Sequence, residues 1–197
     1  MEEKRTAFRR ILFLSLSALL GVFVVISLFA HFLRNPEPEL SDAVRFKKEY
    51  PLVDEDNAFV YKNISEISDI LENGTGIVFM GFPSCIWCQA YSVILHQAAR
   101  DMGVSEIFYC DIKTDRENNS SVYQRIVNIL EEHLELNSEG KPRVYVPDLT
   151  VVKDGVIIGH DNESSTITDD TKPDEYWLNY KVDALKKKMK AMMKEVL

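Results

Sequence analysis

The sequence predicts an α/β domain with a mixed central sheet and helices on both faces, preceded by one N-terminal transmembrane helix. Three observations lead there. Short apolar runs alternate with helical spacings from Phe59 onward, the last two runs meet at Asp154-Gly155, and Ile11 to Leu33 is almost unbroken apolar sequence. Strands that alternate with helices pair in parallel and carry helices on both faces, while a terminal hairpin adds an antiparallel edge. A chain of 197 residues, less one membrane span, suits a single domain with a sizeable core.

The elements follow in order. Residues 1–10 form a tail in which Lys4, Arg5, Arg9 and Arg10 precede the apolar run. Residues 11–33 are long enough to cross a hydrocarbon core of roughly 30 Å. A cleaved signal peptide is the alternative, although its apolar core is usually about 7–15 residues and Leu28 stands where a small residue is wanted. Positive flanks stay inside, so the long C-terminal part is expected outside the cytosol, where disulfides can form and persist. Residues 34–57, rich in proline and charge, read as a linker with a short helix near Ser41–Tyr50. The domain proper is expected over 58–197.

Within it, Phe59-Val60-Tyr61 reads as a strand. Ile64, Ile67, Ile70 and Leu71 have helical spacing, and Asn73-Gly74 supplies the stop. Ile77 to Phe82 is a buried strand, ended by Pro83, with Ser84 as N-cap of a helix that runs to Gly103. Glu106 to Ile112 is a third strand. After a polar break at Lys113–Ser120, Val122, Ile126, Ile129, Leu130 and Leu134 mark another helix, closed by Gly140-Lys141-Pro142. Val146 to Gly159 reads as a hairpin about its Asp-Gly turn. An acidic loop spans Asp161 to Glu175, and Leu178, Val182, Leu185, Met189, Met192 and Val196 make an amphipathic C-terminal helix.

The chemistry concentrates in Cys85-Ile86-Trp87-Cys88. Opening a helix, the two thiols share one face, and the helix N-terminus favours the thiolate of the first. A pair of cysteines at this spacing also fits half a zinc site or a structural disulfide. Zinc needs two more ligands, yet Cys110 is the only other cysteine and the four histidines form no paired motif. A c-type haem would need histidine where Gln89 stands.

Two separated features, the Cys85–Cys88 motif after a buried strand and Val146-Pro147 before a Lys-Asp-Gly hairpin, resemble the thioredoxin superfamily over Phe59 to Leu197. The Gly81-Phe82-Pro83-Ser84-Cys85 and Tyr145-Val146-Pro147-Asp148 segments are similar to bacterial exported thioredoxin-like proteins, including the bacteriocin transport accessory group. The resemblance implies a thioredoxin-like fold, with Pro147 in a cis peptide bond beside the cysteines. It also implies thiol–disulfide exchange with exported polypeptides, Cys85 and Cys88 being catalytic, and Val146 and Pro147 lining the substrate groove. Trp87, between the cysteines, is read as a docking surface for substrate polypeptides, with simple packing as the alternative. No metal or organic cofactor is called for. The partners implied are exported polypeptides carrying disulfides or thiols, a further redox protein, and the membrane through the N-terminal helix.

The sequence departs from thioredoxin itself in two places. Phe79 stands where thioredoxin has a buried aspartate, and Ile86-Trp87 brings no charge between the cysteines, so the direction of electron flow stays open. Phe79 also sustains a rival reading, a non-catalytic accessory subunit of an export or assembly system. Among other residues, Cys110 is expected to be a buried inert thiol. Asp161, Glu163, Asp169 and Asp170 are expected in a solvated loop, since their spacing fits no calcium loop. The lysines of the last helix are expected to form a solvated face. The net charge of −8 argues against a nucleic-acid partner.

Overall fold

A computed structural model describes residues 40–162, 170–178 and 180–197, together with Arg5, 20–27, 29 and 30. The chain forms two units, Met1–Leu40 and Ser41–Leu197. In the first, 20–27, 29 and 30 are helical. The span predicted over 11–33 lies largely outside the described residues, and among these no helix is long and apolar enough to cross a membrane.

The second unit contains strands β1 (Phe59–Tyr61), β2 (Gly76–Gly81), β3 (Ile107–Asp111), β4 (Asp148–Lys153) and β5 (Val156–Asp161). They form one sheet in the order β1-β3-β2-β4-β5. The first three run parallel, β4 runs antiparallel to β2, and β5 antiparallel to β4. The helices are α1 (Asp42–Glu49), α2 (Ile64–Asn73), α3 (Ile86–Met102), α4 (Lys113–Glu117), α5 (Ser121–Ile129), α6 (Pro173–Tyr176) and α7 (Tyr180–Met193).

Central strand β2 is apolar at every interior position because both of its faces are covered. Its alternation sorts the core in two. Ile77 and Phe79 join Phe46, Tyr91, Leu95 and Met189, beneath α1, α3 and α7. Val78 and Met80 join Ile67, Leu71, Ile126 and Val127, beneath α2 and α5. The β4–β5 turn has positive φ at both Asp154 (51°) and Gly155 (75°), the backbone a two-residue hairpin turn of matching twist requires. A Cβ on Gly155 would also stand 2.2 Å from the Glu72 carbonyl oxygen, so that position excludes any side chain.

Three expectations need correction. Residues 41–57, assigned to the linker, belong to the folded unit, and the short helix expected near Ser41–Tyr50 is α1. Ser41 caps α1, accepting from the Val44 N–H at 3.4 Å. Phe46 then stacks on Phe59 and Tyr50 with ring centroids 3.7 and 4.3 Å away. Two apolar residues one turn apart, in a run of lysine and glutamate, gave too little periodicity to mark a core helix. Likewise the polar break after β3 contains α4, too short to show a pattern, whose start is fixed by the Lys113 N–H donating to Asp111 at 2.9 Å.

Asp161 is the third correction. It ends β5 fully buried, accepts a 2.6 Å hydrogen bond from the Tyr91 hydroxyl and pairs with Lys188. Burial of a carboxylate is tolerated where it is paired and hydrogen-bonded, as here. Lys190 likewise pairs with Asp101 at 2.6 Å, so part of the basic face of α7 anchors that helix to its neighbours. Glu163 and Asp169 lie outside the described residues.

Candidate functional site

Beyond Gly81 the chain turns at Pro83-Ser84 and enters α3. The turn is closed by the Cys85 N–H, which donates to the Phe82 carbonyl at 3.1 Å. The N-cap is Cys85, where the sequence suggested Ser84. The Cys88 N–H donates to Cys85 Sγ at 3.1 Å, so the sulfur takes an amide that the first turn of a helix leaves unpaired. Cys85 Sγ thus sits at the positive end of a 17-residue helix.

On its other side, the Cys85 thiol donates to the Val146 carbonyl at 3.9 Å. The Val146–Pro147 peptide is cis, the form the resemblance implied, and Pro147 is buried. Cys85, Cys88, Val146 and Pro147 therefore come together at one end of the sheet, although Cys85 and Val146 are 61 positions apart. Trp87 turns sideways, half-buried, edge-on to Trp177 (5.2 Å) and Tyr176 (5.7 Å). The exposed apolar side chain of the motif is Ile86, at 62 %.

The two thiols differ electrostatically. A hydrogen bond from the Cys88 thiol, opposed by burial and aided by the Cys88 and Trp87 amides and the charge of Arg116, holds the Cys85 pKa below that of a free cysteine. Burial first, then the hydrogen bond to Cys85, pushes Cys88 far up. Of the two, Cys85 is therefore the easier to ionise and Cys88 the harder, and the thiolate is the reactive form of a cysteine. Cys110 lies on the opposite face of the sheet, where burial pushes its thiol up to about 12.

Three contributors escaped the sequence reading. Arg116 of α4 lays its guanidinium over the Phe82 ring at 4.9 Å, and its charge reaches both cysteines. Gln89 donates to the carbonyls of Pro83 (2.8 Å) and Glu49 (2.9 Å), bracing the turn against α1. Tyr50 pairs its hydroxyl with that of Tyr109 at 3.0 Å, next to Cys88. A Cβ on Gly81 would meet Cys88 Sγ at 3.3 Å and the Tyr50 hydroxyl at 3.4 Å, so glycine keeps that gap open. Phe79 stacks on Tyr91, and the polar group near Cys88 is a tyrosine that burial keeps un-ionised. The Phe46–Tyr50 spacing of one helical turn was a signal for Tyr50. Arg116 had none, because its approach depends on how α4 leaves β3.

Among the described residues, no group of three or more His, Cys, Asp or Glu side chains is gathered to hold a metal ion. One consequence of the thiol asymmetry is measurable. Alkylation of Cys85 by iodoacetamide is expected to rise with pH and level off at a lower pH than for a free cysteine, because only the thiolate reacts. Cys88 and Cys110 in the folded protein should stay unmodified through neutral pH. Peptide mapping after a timed quench reads this directly, and equal labelling of all three would refute the asymmetry.

Comparison with protein-family models, with curated proteins and with solved structures gave no significant match.

Proposed function

We propose that the Ser41–Leu197 unit is a thioredoxin-like thiol–disulfide oxidoreductase, held at the cell membrane by the apolar N-terminal segment and facing outward. The observation that carries this is the Cys85 sulfur, which caps α3 through the Cys88 amide and touches Val146 beside a cis proline. The sheet order and the antiparallel β4–β5 edge agree with that family's architecture. The basic tail before the apolar run, with Lys4, Arg5, Arg9 and Arg10, supports the orientation.

In the reducing direction, Cys85 thiolate attacks one sulfur of a substrate disulfide and expels the other as thiolate, giving a mixed disulfide. Cys88 then loses its proton to the medium and attacks Cys85 Sγ. The substrate leaves as a dithiol, two electrons richer, and the protein keeps a Cys85–Cys88 bond. Oxidation of a substrate dithiol runs the same steps backwards. Loss of the proton from Cys88 is the costly event, since its burial opposes the charge.

Turnover distinguishes this from an accessory subunit that only docks partners. The purified protein, supplied with a small dithiol, should reduce a disulfide-bonded model polypeptide over many cycles, and Cys85→Ala should fall to the uncatalysed rate. A wild-type rate equal to that of Cys85→Ala would leave the docking reading in its place.

A further inference from the structure

Helix α5 and the 137–143 loop enclose a cleft of about 400 Å³, and Arg116 joins it to the thiol site. On the loop side Arg143 lines the same cleft, three positions before Val146, whose carbonyl touches Cys85. Its charge runs against that of the chain, which has 31 acidic and 23 basic residues. Arg116, Lys141 and Arg143 line it, against Glu131 as the sole carboxylate.

Lys141 is neutralised by Glu139 at 3.0 Å. Among the described residues, neither Arg116 nor Arg143 has an ion-pair partner. The Arg116 Nε is buried without a hydrogen-bond acceptor. Burial, and next the neighbouring charge of Arg143, lower the Arg116 pKa, so the two guanidiniums repel each other across the cleft wall. A buried donor without an acceptor is costly, and a planar guanidinium is suited to a carboxylate in two parallel hydrogen bonds. An anion entering the cleft would offset the charge of both arginines, which line it, and relieve their repulsion.

We propose that this cleft takes a carboxylate of the polypeptide undergoing exchange, from an Asp or Glu about three residues from the reacting cysteine. The proposal rests on the thiol–disulfide reading of Cys85. Three residues of extended chain reach about 10 Å at roughly 3.3 Å each. A substrate strand lying along the 143–146 segment, its cysteine at Cys85, therefore brings its third residue to Arg143. The site selects substrates by charge near the disulfide, a choice the uncharged Ile86-Trp87 pair cannot make.

The test uses the reduced full chain in mild detergent and two model peptides. Each carries one cysteine activated as a pyridine-2-thiol disulfide, and they differ only in Glu or Gln at three residues on either side. Attack by Cys85 on the peptide sulfur releases pyridine-2-thione, followed by absorbance. The Glu peptide is expected to react roughly tenfold faster at low salt, as fits charge-assisted hydrogen bonding with electrostatic steering. The ratio of the two rates should approach one in Arg143→Gln and survive in part in Arg143→Lys. It should also shrink in wild type at high salt, a readout that needs no variant to fold. Saturating inorganic phosphate should compete with the Glu peptide only. Equal rates in wild type, or a Glu preference kept in folded Arg143→Gln, overturn the proposal, and a cleft that takes phosphate with no peptide preference does so too. If neither peptide releases thione, the exchange reading itself falls and the proposal with it.

Discussion

Replacing Cys88 with alanine is expected to leave Cys85 able to attack and unable to let go. Cys85 loses the Cys88 thiol hydrogen bond that lowers its pKa most. It keeps its place at the positive end of α3 and the residue-88 backbone amide that it caps, so the first step survives at a reduced rate. The second step needs a thiol at position 88, and Cys110 cannot replace it from the opposite face of the sheet. Partner polypeptides should therefore accumulate as reducible adducts, visible on non-reducing gels of whole cells, while turnover falls to the uncatalysed rate. Cys85→Ala in the same background should remove the adducts, and Cys110→Ala should leave them. Folded Cys88→Ala protein without adducts would contradict the assignment of the two thiols.

Phe46→Ala should be among the most destabilising single changes, at a cost of about 3–5 kcal/mol. Phe46 is fully buried and its ring contacts Tyr50, Phe59, Tyr61 and Tyr109. No neighbouring side chain is placed to refill the space, because the aromatic rings around it hold one another. Losing this anchor also loosens Tyr50 and the Glu49 carbonyl that Gln89 binds, so thiol reactivity should change along with stability. Urea denaturation of wild type and variant measures the difference. A loss below about 0.5 kcal/mol, the range of surface changes, would mean that α1 is not part of the core.

How much was legible in the sequence depended on distance along the chain. Strand β2, the turn at Pro83 and helix α3 are contiguous, and apolar run, breaker and helical spacing announce them in order. Asp154-Gly155 announces the hairpin for the same reason. The meeting of Cys85 with Val146 was reachable only by resemblance, since no local pattern links the ends of β2 and β4. Helix α1 was expected as a short helix of the linker, but its place in the core was hidden because its buried side is little more than Phe46 and Tyr50 amid charges. Asp161 looked like loop sequence because a buried carboxylate is legible only through its partners, Tyr91 and Lys188, which lie on other elements. Arg116 and Arg143 meet through the sheet order alone.

The most direct measurement is a redox titration of the purified protein. Samples equilibrated over a range of dithiol–disulfide ratios are quenched in acid, alkylated after denaturation and mapped by mass spectrometry. Cys85 and Cys88 are expected to lose their labels together in one reversible two-electron transition, with Cys110 labelled throughout. A midpoint near about −270 mV would assign a reductant and one near about −120 mV an oxidant. A pair that stays as thiols across the whole range, or a bond that engages Cys110, would contradict an exchange centre at Cys85–Cys88.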